Sequence, residues 1–440
     1  MPRFLASSRR VSLEGFALFV IFMGTCVLSL RSPSRAYLIP YTPYIMLALQ
    51  LGASFVALGG LRLRLGKTYK PMMMILSLLV FLTILSLGSA SWSLYPELVI
   101  QRSLLVFVPL LLVFLLTWSD PNPRTTFVLV SRGLVLFVSL LSAVGVFLYF
   151  FGTQGWVDGA RVQVFSIGPI SLAQRLMGVP PFLRISSLTG NPNTLALWLA
   201  VSLVLTIYLL HSRRISRSLG ILVLALQGLA LLFTFSRTGI ITSFIGVAAY
   251  SFWMGRNVAL RRKQLVSGVV LLVLAIGVFV ARNTSVASSF FDLNLRNEIW
   301  THLFDSFREK PIRGVGFGVS SEAVLAPNGI KAAGHNAHLQ ILVEIGLPGY
   351  LAFLVTWLMG LTIIRRRARK VYVLEQRMAL AGISAILALL LIHQLAEGSL
   401  LRYGFITIYW GYLLGVGIHP EMQGNGPVAS LEANLSLNDR

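Results

Sequence analysis

The chain has 440 residues, 56% of them hydrophobic and only 12% charged, which excludes an ordinary soluble domain with its roughly 25% of charged residues. The net charge of +22 would suit a nucleic-acid binder, but the basic residues sit in short connections between apolar runs, so nucleic acid is excluded as a partner. Cys26 is the single cysteine, which rules out a disulfide framework and a cysteine-based metal site.

Apolar runs near the ~20-residue length of a membrane-crossing helix recur along most of the chain. The alternation of a transmembrane barrel strand is absent, so helices are the expected spanning element. The predicted fold class is an all-α polytopic membrane protein of about twelve transmembrane helices. In chain order the spans are 13–30, 39–60, 73–90, 104–118, 126–151, 193–210, 219–235, 239–254, 265–281, 346–364, 379–395 and 404–418. The first follows Arg3, Arg9 and Arg10 and has the character of an uncleaved signal anchor.

Charge placement predicts the orientation. With the N-terminus cytoplasmic, the segments on that side carry 22 Lys and Arg, among them Arg213, Arg214, Arg217 and the run Arg365 to Lys370. The short outside connections carry five: Arg31, Arg35, Arg102, Arg237 and Arg402. Short loops obey the positive-inside rule, so both termini are expected in the cytoplasm of an inner-membrane protein.

The expected organisation follows: helices 1–9 in 1–281 with an outside loop at 152–192, an outside loop domain at 282–345, helices 10–12 in 346–418, and a cytoplasmic tail, 419–440. Loops of that length in a compact fold usually carry function. Within the second, Ile299, Trp300, Leu303, Phe304 and Phe307 share one helical face, which predicts an amphipathic helix resting on the membrane or on the bundle. Pro311 and Gly314, Gly316 and Gly318 end it. The tail from about 420 is polar and reads as a disordered end.

The outside acids never form a tight pair, so no Mg²⁺ or Ca²⁺ site is evident, and no cofactor is expected. His335 and His338 alone do not complete a zinc site. What the outside face offers is arginine: Arg161, Arg175 and Arg184 in the first long loop, and Arg237 in the turn Thr234-Phe235-Ser236-Arg237-Thr238-Gly239. A guanidinium is a planar fork that matches phosphate and stays charged. Arg161, Arg184 and Arg237 are therefore candidates to hold a lipid phosphate or pyrophosphate, against the plainer role of snorkelling to headgroups. Asn191, Pro192 and Asn193 lead into a span, with Asn193 or Thr194 expected to cap it. His335 and His338 open a run that turns helical toward Glu344 and Gly346. An imidazole can take the proton of a hydroxyl nucleophile, and the pair leaves open which of the two does so.

These residues resemble the family of bacterial O-antigen ligases, which shares a fold with O-antigen polymerases. The carrying pattern is a histidine followed by Asn, nine residues, then Gly-x-x-Gly: His335, Asn336, residues 337–345, Gly346 and Gly349. Similar to family patterns are also Arg296 to Trp300, the Pro311…Gly318 run, Ser236-Arg237 and Asn191-Pro192-Asn193. The resemblance implies a membrane glycosyltransferase fold with a large periplasmic helical loop. It implies a metal-independent, inverting transfer of a glycan from undecaprenyl pyrophosphate to the lipid A–core of lipopolysaccharide. In that scheme His335 or His338 is catalytic, Arg161, Arg184 and Arg237 bind the donor pyrophosphate, and Asn191, Asn193, Asn336 and Arg296 support them. Many relatives carry an aromatic residue where this chain has His338.

The nearest rivals are an O-antigen polymerase and a protein O-oligosaccharyltransferase, which use the same donor. A transporter of lipid-linked sugar is the non-enzyme rival, but it would place ionisable residues in mid-span, where this chain has only Arg132 near a cytoplasmic end.

Overall fold

A computed structural model describes residues 11–31, 44–45, 47–52, 69–157, 159–168, 170–178, 183–254, 296–330 and 333–422. Its helices are α1 (Leu13–Leu28), α2 (Lys70–Gly88), α3 (Pro96–Ser119), α4 (Pro123–Phe151), α5 (Pro192–His211), α6 (Arg217–Phe233), α7 (Arg237–Met254), α8 (Arg296–Glu309), α9 (Ala337–Lys370), α10 (Leu374–His393) and α11 (Phe405–Ile418). Proline opens α3, α4 and α5, where its missing N–H costs nothing and its fixed φ favours the first turn. Six stretches among the described residues are long and apolar enough to cross a membrane: 70–91, 96–119, 123–151, 192–211, 337–370 and 374–393. The helices α1, α6 and α11 are apolar but shorter. Ten of the expected spans thus coincide with helices among the described residues. Most of 39–60, all of 265–281, the first part of the loop 282–345 and the tail beyond 422 lie outside them.

Glycine-rich, aromatic α11 is the axis of the bundle, with all its residues buried. A helix that is apolar all round belongs in a core. Trp410 stacks on Trp357 of α9 with ring centres 5.1 Å apart, and Tyr409 and Tyr412 meet Phe22 of α1. A Cβ at Gly411 would fall 2.5 Å from a Leu110 methyl carbon, so this glycine lets α3 lie close against α11.

Two ends of the bundle differ in charge. At one, Ser12 donates to Asp120 across 2.6 Å, Arg214 pairs with Glu375, and Arg132 reaches the Arg214 carbonyl at 2.7 Å. Arg124, Arg213, Arg217 and the Arg365–Lys370 run belong to this end. Residues 29–31, 89–95, 152–157, 159–168, 170–178, 183–191, 234–236, 296–330, 333–336 and 394–404 gather at the other end, joined by bonds such as Arg31 N to the Leu188 carbonyl and Phe317 N to Ser89 Oγ.

The all-α expectation is corrected in the loop 152–192. Four antiparallel strands lie there in sequential order: β1 (Thr153–Val157), β2 (Ala160–Ile167), β3 (Ile170–Met177) and β4 (Arg184–Ile185). Val, Ile, Phe and Trp favour a pleated surface. Glycines at the chain reversals, Gly159 at φ +71° and Gly168 at φ +57°, permit tight turns. Gln174 tacks the sheet to the bundle, donating to the Gly145 carbonyl at 2.9 Å and accepting from Ser187 N at 3.0 Å.

The amphipathic α8 rests on the bundle's own loop, burying Ile299 and Leu303 against Val315, Val324, Leu325 and Val343. Phe304, expected on that apolar face, is instead 42% exposed under the Arg308 guanidinium. Helix α9 kinks at Ile345 and Gly346. At φ +66° Gly346 occupies the left-handed region, and a Cβ there would lie 2.1 Å from the Ile312 carbonyl oxygen. The Pro311–Gly318 run packs against that kink: Leu347 N donates to the Pro311 carbonyl at 2.8 Å, and Gly316 N to that of Glu344 at 2.9 Å.

Candidate active site

Three connections converge at the sheet end of the bundle: the strand β4, the turn between α6 and α7, and the loop between α10 and α11. Each delivers one charged group. Arg184 leaves β4, opposite Met177, and donates through Nε to the Thr234 carbonyl at 2.8 Å. Thr234, Phe235 and Ser236 form a three-residue turn, with Phe235 at φ +44°. Thr234 Oγ1 accepts from Ser236 N, and Ser236 Oγ accepts from Gly239 N. Arg237 is thereby the first residue of α7, close enough to Arg184 for the two charges to repel.

Glu397 is the hub. One carboxylate oxygen accepts from Asn193 Nδ2 at 2.6 Å and from Arg296 at 3.1 Å, and the other faces His335 Nδ1 at 3.5 Å. Asn193 Oδ1 in turn accepts from Arg184 Nη2, so a continuous chain runs from the imidazole through carboxylate and amide to the guanidinium. Burial pushes the Glu397 carboxyl up, but the His335 hydrogen bond and the charges of His335, His393 and Arg296 outweigh it and hold it below the usual carboxylate range. Burial likewise pulls the Arg184 guanidinium down to about 10, assisted by Arg237 and Arg296 and opposed by Glu397. Arg184 therefore stays cationic at neutral pH.

The two histidines part company. His335 precedes α9 in a turn at φ +49°, its side chain 34% exposed beside Glu397. That turn is anchored on each side. Trp300 Nε1 of α8 donates to the Gly334 carbonyl at 3.0 Å, Asn336 caps α9 by accepting from Leu339 N, and Ala337 N donates to the carbonyls of Gln394 and Glu397. His338 lies inside α9 and is turned into the bundle, only 9% exposed. Its Nε2 is 3.1 Å from the Leu391 carbonyl, its Nδ1 is 3.4 Å from the Tyr350 hydroxyl, and its ring meets Phe353 edge-on.

Of the residues singled out from sequence, the structure brings together Arg184, Arg237, Arg296, Asn193 and His335, with Asn191 and Asn336 as helix caps. Asn191 caps α5 by accepting from Asn193 N at 2.8 Å, so the cap is neither Asn193 nor Thr194. Pro192 suits the first helical position and places the helix start earlier. Arg161 is elsewhere, on β2 opposite Trp156, with its guanidinium 5.4 Å from the centre of that ring. Sequence reasoning passed over Glu397. The available signal was a carboxylate in a short outside connection otherwise marked by His393 and Arg402.

A second carboxylate, Glu344, sits one turn deeper and is structural. Buried to 1% exposure, it accepts from Gly318 N at 2.8 Å, Ser320 Oγ at 2.6 Å and Arg402 at 2.7 Å. Beside it Arg102 forks onto both oxygens of Glu322, at 2.9 and 2.6 Å. Among the described residues no three His, Cys, Asp or Glu side chains gather as a metal site would require.

Residues 220–354 match a family model described as O-Antigen ligase. The match takes in the α6–α7 turn with Arg237, all of α8, and His335, Glu344 and Gly346, and stops short of Arg184 and Glu397. No curated protein matches the chain.

Proposed function

We propose that this chain, whose residues 220–354 belong to the O-antigen ligase family, is an inverting glycosyltransferase of the inner membrane. It moves a glycan from undecaprenyl pyrophosphate to a sugar hydroxyl of lipid A–core. The observation that carries the reading is the Glu397 hub, which joins an imidazole able to accept a proton to a cluster of guanidinia able to hold a diphosphate.

Glu397 accepts from His335 Nδ1 and leaves Nε2 to face the acceptor. The acceptor hydroxyl gives its proton to Nε2 as its oxygen attacks the anomeric carbon. The carbon–oxygen bond to the diphosphate breaks, and the electron pair leaves with the diphosphate. Arg184 and Arg237 meet the charge that develops there, which suits a leaving group already good enough to depart without an acid. One displacement inverts the anomeric centre. His338, with its nitrogens engaged and its ring enclosed, holds α9 against α10 rather than acting as the base. The reaction faces the periplasm in this reading, because the arginine-rich opposite end is the one retained in the cytoplasm.

Two results test it. Purified protein with the lipid-linked donor and lipid A–core is expected to transfer glycan in the presence of a chelator; activity lost on chelation and restored by Mg²⁺ would overturn the metal-free scheme. Arg237→Ala is expected to lower transfer by about 10²–10³-fold, the scale of losing one charge-stabilising donor, while the protein still inserts and purifies as wild type. Transfer to a second polyprenyl-linked glycan or to a protein, with none to lipid A–core, would identify a polymerase or an oligosaccharyltransferase instead.

A further inference from the structure

A second cationic feature at this end takes no part in the scheme above. A pocket of about 270 Å³ opens between the end of α1, the start of α5 and the loop leading into α11. Its walls include Asn191, the cap of α5, Thr194 in the first turn of α5, Ser399 from the loop and the largely buried Trp198, and Arg31 and Arg402 line it from opposite elements. Among the described residues, no carboxylate lines it. Arg402 is tied on one side to Glu344, and Ser399 is held by Gln394, so the polar groups are set by the fold before any ligand arrives. Backbone fixes Arg31 as well, its N–H donating to the Leu188 carbonyl at 2.8 Å.

We propose that this pocket is a subsite for one anionic sugar residue of the acceptor, separate from the clamp that holds the donor diphosphate. The inference rests on the transferase reading. The chemistry of the lining decides the ligand class. Amide and hydroxyl groups suit the hydroxyls of a sugar ring, and two guanidinia select a negative substituent. At this volume the pocket is smaller than the ~300–1,000 Å³ of sites for drug-sized ligands, which suits a single ring. Position decides donor against acceptor. The Asn191–Asn193 turn separates the two arginine groups: Arg184 binds Asn193 from the Thr234 side, and Asn191 and Thr194 face the pocket. Glu397, which accepts from Asn193, lies two residues before Ser399. The proton-accepting pair therefore stands between clamp and pocket, where the nucleophile of an in-line displacement must be delivered.

The test is binding and transfer measured side by side on detergent-purified, full-length protein. The ligands are lipid A–core, the same acceptor stripped of phosphate and with its carboxyl groups reduced, and phosphatidylglycerol vesicles. The variants are Arg31→Ala, Arg31→Lys and Thr194→Trp, the last filling the pocket from an exposed position on α5 without removing charge. Arg31→Ala and Thr194→Trp are expected to weaken acceptor binding and raise acceptor KM about tenfold, with donor KM unchanged and Arg31→Lys in between. Neutralising the acceptor should cost the wild type more than it costs Arg31→Ala, which keeps only Arg402 to meet the charge. A rise in donor KM instead, an equal loss on phosphatidylglycerol, or no change in any variant would overturn the proposal. Selective binding of the anionic acceptor by a wild type that transfers nothing would uphold the subsite and refute the transferase.

Discussion

Replacing His335 by alanine is expected to lower glycan transfer by about 10²–10⁴-fold, the contribution of a positioned general base, without changing the amount of folded protein in the membrane. The side chain is partly exposed and, among the described residues, faces Glu397, so little packing is lost with it. His338→Phe is expected to keep transfer within about tenfold of wild type, because an aromatic ring of similar shape still fits between Tyr350 and Phe353. Two losses differ in kind here: the first removes a proton acceptor, the second the contacts to a helix carbonyl and to the Tyr350 hydroxyl. Glu397→Gln is expected to fall between them, since the amide keeps a contact with Asn193 but loses the negative charge beside the His335 ring. Steady-state transfer with saturating donor, together with yield from purified membranes, distinguishes these outcomes. An inactive but folded His338→Phe beside an active His335→Ala would reverse the assignment.

Glu344→Ala is expected to destabilise the protein by about 3–5 kcal/mol, the range for removing one partner of a buried ion pair. The carboxylate is 1% exposed and satisfies two backbone amides, a hydroxyl and a guanidinium at once. Its removal strands Gly318 N and Ser320 and takes the carboxylate from Arg402. Because the same loop seats the kink at Gly346 and the start of α9, the variant loses transfer through misplacement of His335 rather than through any chemistry of its own. Arg402→Ala takes the paired guanidinium from this buried carboxylate and should also destabilise, but by less, because the Gly318 and Ser320 donors and the nearby Arg102 charge remain to it. Thermal unfolding in detergent separates the two, and equal midpoints for wild type and Glu344→Ala would refute the role given to this network.

The spans were legible because lipid imposes one rule on every residue that crosses it: apolar side chains and a backbone satisfied within its own helix. Ten expected spans meet helices, and the tight turn around Arg237 follows from the apolar sequence on both its sides. Helix α8 was readable from its spacing of Ile299, Trp300 and Leu303, whereas Phe304 was not, since one step of the same face turns out to water. Strands β1 to β3 were missed although Val, Ile, Phe and paired glycines marked them. A short hairpin carries a weak signal beside runs of twenty apolar residues, and it holds its place partly through Gln174 and the end of α4.

Sequence by itself determined that the chain is a membrane-embedded helical protein, that its cations divide unequally between connections, and that His335, Arg184 and Arg237 belong among the residues to watch. Which of these meet was decided only in three dimensions. Glu397 stands 62 residues after His335 and 204 after Asn193, and no local pattern links such positions. Their encounter depends on how α5, α7, α9 and α10 pack around the buried α11, a property of side-chain shape summed over the whole bundle.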